Sequence, residues 1–158
     1  MRKIFLALPI LFAFIMVLSG CGKTAVDPTP TELLTRTWSV NVAKHDGTQV
    51  YQKGGTSNTS LGYINYKLAL SGTGTNLTAS LTAIDNTTFT GTWSLSSDNK
   101  TLTLSSLKNS AGVSPTGTTG SIVYSVLNTI SLTALTLEST VKDLKAGNST
   151  VNLQLVNP

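Results

Sequence analysis

The chain has little of what most enzyme chemistry needs. Among 158 residues there is one cysteine, Cys21, and one histidine, His45. A single thiol excludes an intrachain disulfide and a thiolate metal cluster, and the chain that follows it holds the single imidazole but no thiol for a Cys-His pair. A serine triad would have to centre on His45, which stands beside Asp46 and Gly47 and reads as part of a turn. Charged residues make up only 11% of the chain, and no arginine follows Arg36. The lysines from Lys44 to Lys145 stand one at a time, without the concentrated basic footprint of a nucleic-acid binder. Gly54, Gly55, Gly72 and Gly74 precede no helix and no Gly-Lys-Ser/Thr follows them, which excludes a phosphate loop. The acids fall mostly at turns, with no pair that must converge. These absences lead us to expect a protein that is not an enzyme and holds no cofactor or metal.

What is present begins with an apolar run, Ile4 to Leu18, behind Arg2 and Lys3. As a helix its fifteen residues would span only about 22 Å, short of the roughly 30 Å hydrocarbon core that a permanent span must cross. Charge followed by a short apolar run is the layout of a secretory signal. Leu18-Ser19-Gly20-Cys21 resembles the lipobox of bacterial lipoproteins. The resemblance implies a diacylglycerol thioether on Cys21, cleavage before it, and acylation of the new amino terminus. Several acyl chains exceed the one-chain threshold for stable anchoring. Gly22, with no Asp after the cysteine, implies by the same resemblance an outer-membrane lipoprotein, with the periplasmic face favoured over the cell surface. Residues 1–20 are thus expected to be a signal peptide and residues 21–30 a lipidated tether stiffened by Pro28 and Pro30.

Residues 31–158 carry the domain. Arg2 and Lys3 lie in the leader, so nine basic and seven acidic residues remain for a net charge of +2. Serine and threonine supply 43 of the 138 residues after Gly20, a β-branched, polar bias that suits the solvent face of a pleated sheet. Thr31-Glu-Leu-Leu-Thr35 is read as one helical turn with Thr31 near the cap position. Beyond it, apolar residues recur at alternate positions: Trp38, Val40 and Val42; Ile64, Tyr66, Leu68 and Leu70; Leu77, Ala79, Leu81 and Ala83; Phe89, Gly91, Trp93 and Leu95; Leu102 and Leu104; Ile122, Tyr124 and Val126; Leu135 and Leu137, after a slip in phase from Leu132; and Val151, Leu153 and Leu155. Turn chemistry separates them, including Ser96-Ser-Asp-Asn-Lys100 and Lys145-Ala-Gly-Asn148. About eight antiparallel strands without crossover helices leave an up-and-down barrel or, alternatively, a β-sandwich.

The series ELLTRTWSV at 32–40, GTWSLSSDNKTLTLSS at 91–106, IVYSV at 122–126 and ISLTALTLES at 130–139 resembles the lipocalin-like lipoproteins of Bacteroidetes-type bacteria. The resemblance implies an eight-stranded barrel entered through a short helical turn and a strand bearing tryptophan. The chain departs from it at Arg36, where lipocalins have glycine, and no later arginine is available to pack over Trp38. An eight-stranded barrel has room for one small ligand. Trp38, Tyr66, Phe89, Trp93 and Tyr124 are the bulky inward candidates to contact it. The expected function is a lipid-anchored envelope module that binds a small apolar or amphipathic molecule. The alternative is a filled barrel that works through its surface as an accessory subunit, with a protein partner the sequence does not identify.

Overall fold

The computed structural model describes residues 27–158, and the leader, Cys21 and most of the tether lie outside them. The chain enters through a short helix, α1 (Pro30–Leu34). Its cap is Thr29, two residues earlier than the sequence reading placed it. Glu32 N donates to Thr29 Oγ1 (3.3 Å) and Thr29 N donates to Glu32 Oε2 (2.7 Å), closing a reciprocal capping box. Proline suits the first helical position because its missing N–H would have no partner there. Those bonds from Thr29 also hold the Glu32 carboxyl below its ordinary pKa.

Nine strands follow: β1 (Thr37–His45), β2 (Thr48–Gln52), β3 (Lys67–Thr73), β4 (Asn76–Thr82), β5 (Thr88–Leu95), β6 (Thr101–Lys108), β7 (Ile122–Val126), β8 (Ala134–Ser139) and β9 (Val151–Val156). All pairings are antiparallel. From β3 to β9 each strand pairs with the next, and β9 returns to β1 with Ser39 opposite Val156 and His45 opposite Val151. That last ladder closes an eight-stranded barrel and rules out the sandwich.

The ninth strand, β2, was missed in the sequence. Its only buried residue is Tyr51, so no alternating apolar series marks it. It pairs with the upper half of β1 (Val42 to His45), while β3 pairs with the lower half (Thr37 to Ser39). Both lie on the edge of β1 opposite β9, one above the other. The link between them, residues 53–66, includes a 3₁₀ turn at Leu61–Ile64. Ile64, expected on the inner face of a strand, belongs to this turn and is 69% exposed.

Elsewhere the alternation holds. Leu68, Leu70, Ala79, Leu81, Phe89, Trp93, Leu102, Leu104, Leu135, Leu137, Leu153 and Leu155 are all buried in one core. Leu132, where the phase slips, lies outside β8 and is exposed. Opposite Gly91 the β5–β6 register shifts and Ser106 adopts φ +56°. A Cβ on Gly91 would sit 2.3 Å from the Ser105 carbonyl oxygen, so glycine is required where the two backbones approach so closely.

The alternating strand directions give the barrel two different ends. One carries α1, the Gly74-Thr75 hairpin, the 96–100 hairpin and the β7–β8 connection. The other carries the Asp46-Gly47 turn and the connections at 83–87, 109–121 and 140–150.

Candidate functional site

The first end is sealed. Leu34 from α1 and Trp38 from β1 are fully buried, and Trp38 Nε1 donates to the Leu34 carbonyl (3.1 Å). The guanidinium carbon of Arg36 lies 5.7 Å from the centre of the Trp38 ring, within reach of a cation–π interaction. Arg36 Nη1 donates to the Leu132 carbonyl (2.7 Å). The arginine over the tryptophan is therefore present, but it comes from two residues upstream and not from late in the chain.

The second end holds a cavity of about 90 Å³. Its walls include Leu81, Phe89, Ile122 and Leu153, and the connections at 115–118 and 141–145 form its rim. Phe89 faces it because β5 alternates: Phe89, Gly91 and Trp93 point inward in turn. Four residues of strand rise, about 13 Å, put Trp93 far below the cavity. There Trp93 Nε1 donates to the Ser71 carbonyl (3.0 Å). Of the five aromatic candidates, Tyr66, Phe89 and Tyr124 line the cavity, whereas Trp38 and Trp93 do not and serve as core. The two tryptophans read as inward correctly but lie at the wrong height to meet a ligand there.

The rim is tied across the mouth. Lys145 Nζ from the β8–β9 connection meets Asp85 Oδ2 from the β4–β5 connection at 2.6 Å and lies 5.6 Å from the centre of the Phe89 ring. The hydrogen bond from Lys145 holds the Asp85 carboxyl below its ordinary pKa. Gly117 packs against Leu144, where a Cβ would come within 2.8 Å of Leu144 Cδ1. Leu61, Ile64, Val113, Val141 and Leu144, all on connections around this end, are more than half exposed.

Beneath the rim all four tyrosines of the chain are buried. Tyr51 and Tyr63 have ring centres 6.0 Å apart, and Tyr63 and Tyr66 6.3 Å apart. The Tyr66 and Tyr124 hydroxyls meet at 3.1 Å. Tyr63 joins the group through the 3₁₀ turn, which packs so tightly on the β4–β5 connection that a Cβ on Gly62 would fall 2.6 Å from the Ile84 carbonyl oxygen. His45, at the end of β1, places Nε2 2.7 Å from the Tyr63 hydroxyl. Burial raises the pKa of Tyr63, Tyr66 and Tyr124, the last to about 12, and the nearby Asp143 carboxylate adds to each rise.

Sequence reading overlooked Tyr51 and Tyr63 because neither falls in an alternating series. Two tyrosines three apart, Tyr63 and Tyr66, were the available signal. His45, read as turn chemistry, ends β1 and faces Tyr63. Among the described residues no group of three or more His, Cys, Asp or Glu side chains is placed to hold a metal ion. The site therefore offers an apolar wall, phenolic hydroxyls at depth and an ion-paired rim. No family model matches this chain, and no curated protein matches it.

Proposed function

We propose that the protein is a lipid-anchored outer-membrane lipoprotein whose barrel acts as a non-enzymatic binding module for a small apolar or amphipathic ligand, taken up at the open end. The observation that carries this reading is the apolar-walled cavity with tyrosines among its lining residues. Its size narrows the ligand. At about 90 Å³ it is smaller than the roughly 150 Å³ engineered cavity that holds benzene, and well below the 300–1,000 Å³ or so of drug-sized sites. It accommodates a compact molecule or one end of a longer one, whose remainder lies over the exposed apolar residues of the rim.

The anchor would join the barrel at its sealed end, where α1 begins. Eight residues separate Cys21 from Pro30 and reach at most about 28 Å, so a domain tethered there has room to present its cavity away from the lipid and to take a ligand from the aqueous side.

The second reading, a surface-acting accessory subunit, is favoured by the same five exposed apolar side chains and by the filled lower barrel. Native mass spectrometry separates the two. The mature chain, residues 21–158, made unlipidated and purified from the periplasm without detergent, is expected to carry a small molecule near one-to-one that is lost on denaturation. A clean apoprotein mass would favour the surface-acting reading. For the anchor, Cys21→Ser is expected to abolish palmitate labelling and leave the precursor uncleaved. Labelling that persists would overturn it.

A further inference from the structure

The hydrogen bonding of the Tyr66–Tyr124 pair does not balance. Each hydroxyl has one proton to donate. Whichever tyrosine donates across the 3.1 Å contact, the other keeps a proton with no acceptor among the described residues. Both side chains are 6% exposed and both line the cavity. A buried donor left unmatched is costly, and such groups in native proteins almost always find a partner. Neither hydroxyl can shed its proton to escape that cost, since burial and the Asp143 carboxylate both oppose the phenolate.

We infer that the cavity's occupant brings an uncharged acceptor oxygen, of carbonyl or ether type, to the Tyr66–Tyr124 pair on a compact apolar body. This rests on the proposed binding function and specifies its ligand class. The acceptor is uncharged for two reasons. An ionised group is expensive to bury without a partner, and of the two lysines in the lining Lys145 is already paired with Asp85 while Lys142 stands at the rim next to Asp143. Asp143, at the rim, adds repulsion toward an anion. The body is compact and apolar because Leu81, Phe89, Ile122 and Leu153 surround only about 90 Å³. A lone water there would have the two hydroxyls as partners, the low end of the two to four it needs, whereas an occupant with an apolar body also covers the aliphatic and aromatic walls.

The test compares cyclobutanone with methylenecyclobutane, which has the same ring but carries CH₂ in place of the carbonyl oxygen. Each is titrated into the unlipidated mature chain while methyl resonances of Leu81, Ile122 and Leu153 are followed. The ketone-to-alkene affinity ratio is expected to be about five- to tenfold higher in wild type than in the Tyr66→Phe/Tyr124→Phe double variant, the value of one neutral hydrogen bond. Tyr66→Phe and Tyr124→Phe should each keep the preference, because the remaining hydroxyl still has a proton to give. The double variant should lose it. A merely structural role for the pair would not produce that pattern. Should the double variant not fold, the carbonyl ¹³C shift of the ketone bound to wild type decides, since accepting a hydrogen bond moves it downfield. A ratio that the double variant leaves unchanged, or a bound carbonyl shift like that in an apolar solvent, would overturn the acceptor inference and leave an apolar site standing. Failure of both probes to move the cavity resonances would overturn the binding reading, and this inference with it.

Discussion

The two ends of the barrel are built from the same strands and solve opposite problems. At the sealed end the connections are short, α1 is capped on both sides of its first turn, and the largest fully buried side chain, Trp38, has its one polar atom satisfied by Leu34. At the open end the connections reach fourteen residues at 53–66, thirteen at 109–121 and eleven at 140–150. One ion pair links two of them, and five large apolar side chains remain exposed, against Leu127 and Leu132 at the sealed end. The contrast predicts more stability at the sealed end and more adaptability at the open one. Binding surfaces are drawn from the less stable parts of a fold because they must open and close.

The comparison breaks most readily at Trp38. Trp38→Ala should cost about 3–5 kcal/mol, the range for deleting a fully buried large aromatic, read as a fall in the denaturant midpoint. Leu144→Ala at the rim should change stability by no more than about 0.5 kcal/mol. Similar losses from both would remove the distinction between the two ends.

Alkaline pH probes the tyrosines of the open half. The folded pKa values of Tyr63, Tyr66 and Tyr124 lie above the ordinary 10.0, with Tyr124 at about 12. The unfolded chain therefore releases these protons first. The stabilisation is complete below pH 10 and is lost as pH rises through the folded values. Phenolate absorbance should lag behind free tyrosine between pH 10 and 12 and then appear together with unfolding. Ordinary titration near pH 10 in a folded protein would show that the tyrosine cluster is open to solvent.

The smallest effect belongs to the rim. Asp85→Asn should lower stability by less than about 1 kcal/mol, since both partners of the Lys145 pair are partly exposed and screened. The folded Asp85 pKa is depressed below 3.8. Its contribution is thus present above pH 3.8 and disappears as pH falls through the lower folded value. Wild type and Asp85→Asn should differ in melting temperature at pH 6 and converge at pH 2. A gap that persists at pH 2 would mean that Asp85 acts through packing and not through charge.

Much of this architecture was legible because β periodicity is local. The series from Leu77 to Ala83 and from Phe89 to Leu95 identified strands and their inward faces correctly, since a side chain's face in a strand depends only on its neighbours. Reading failed where contacts outweighed pattern. β2 forms because β1 offers it an edge, and Tyr51 is buried by Tyr63 on a later turn. Ile64 fits the alternation of β3 in sequence, yet the chain is still in the 3₁₀ turn there. The cap of α1 fell on Thr29 because Glu32 reaches back to it, a pairing visible in the spacing but passed over in favour of Thr31.

The amino-acid sequence by itself determined the class of this protein: one all-β domain, strands with a buried and an exposed face, and a single thiol beside a lipobox-like motif. These follow from composition and from correlations a few residues long. Only the tertiary structure decided that β9 closes on β1, that α1 and Arg36 seal one end, and that Tyr66, Phe89 and Tyr124 share a cavity while Trp38 and Trp93 do not. Each of those depends on register between strands that, for β1 and β9, are more than a hundred residues apart, and height within a barrel comes from that stagger, about which a period of two carries no information.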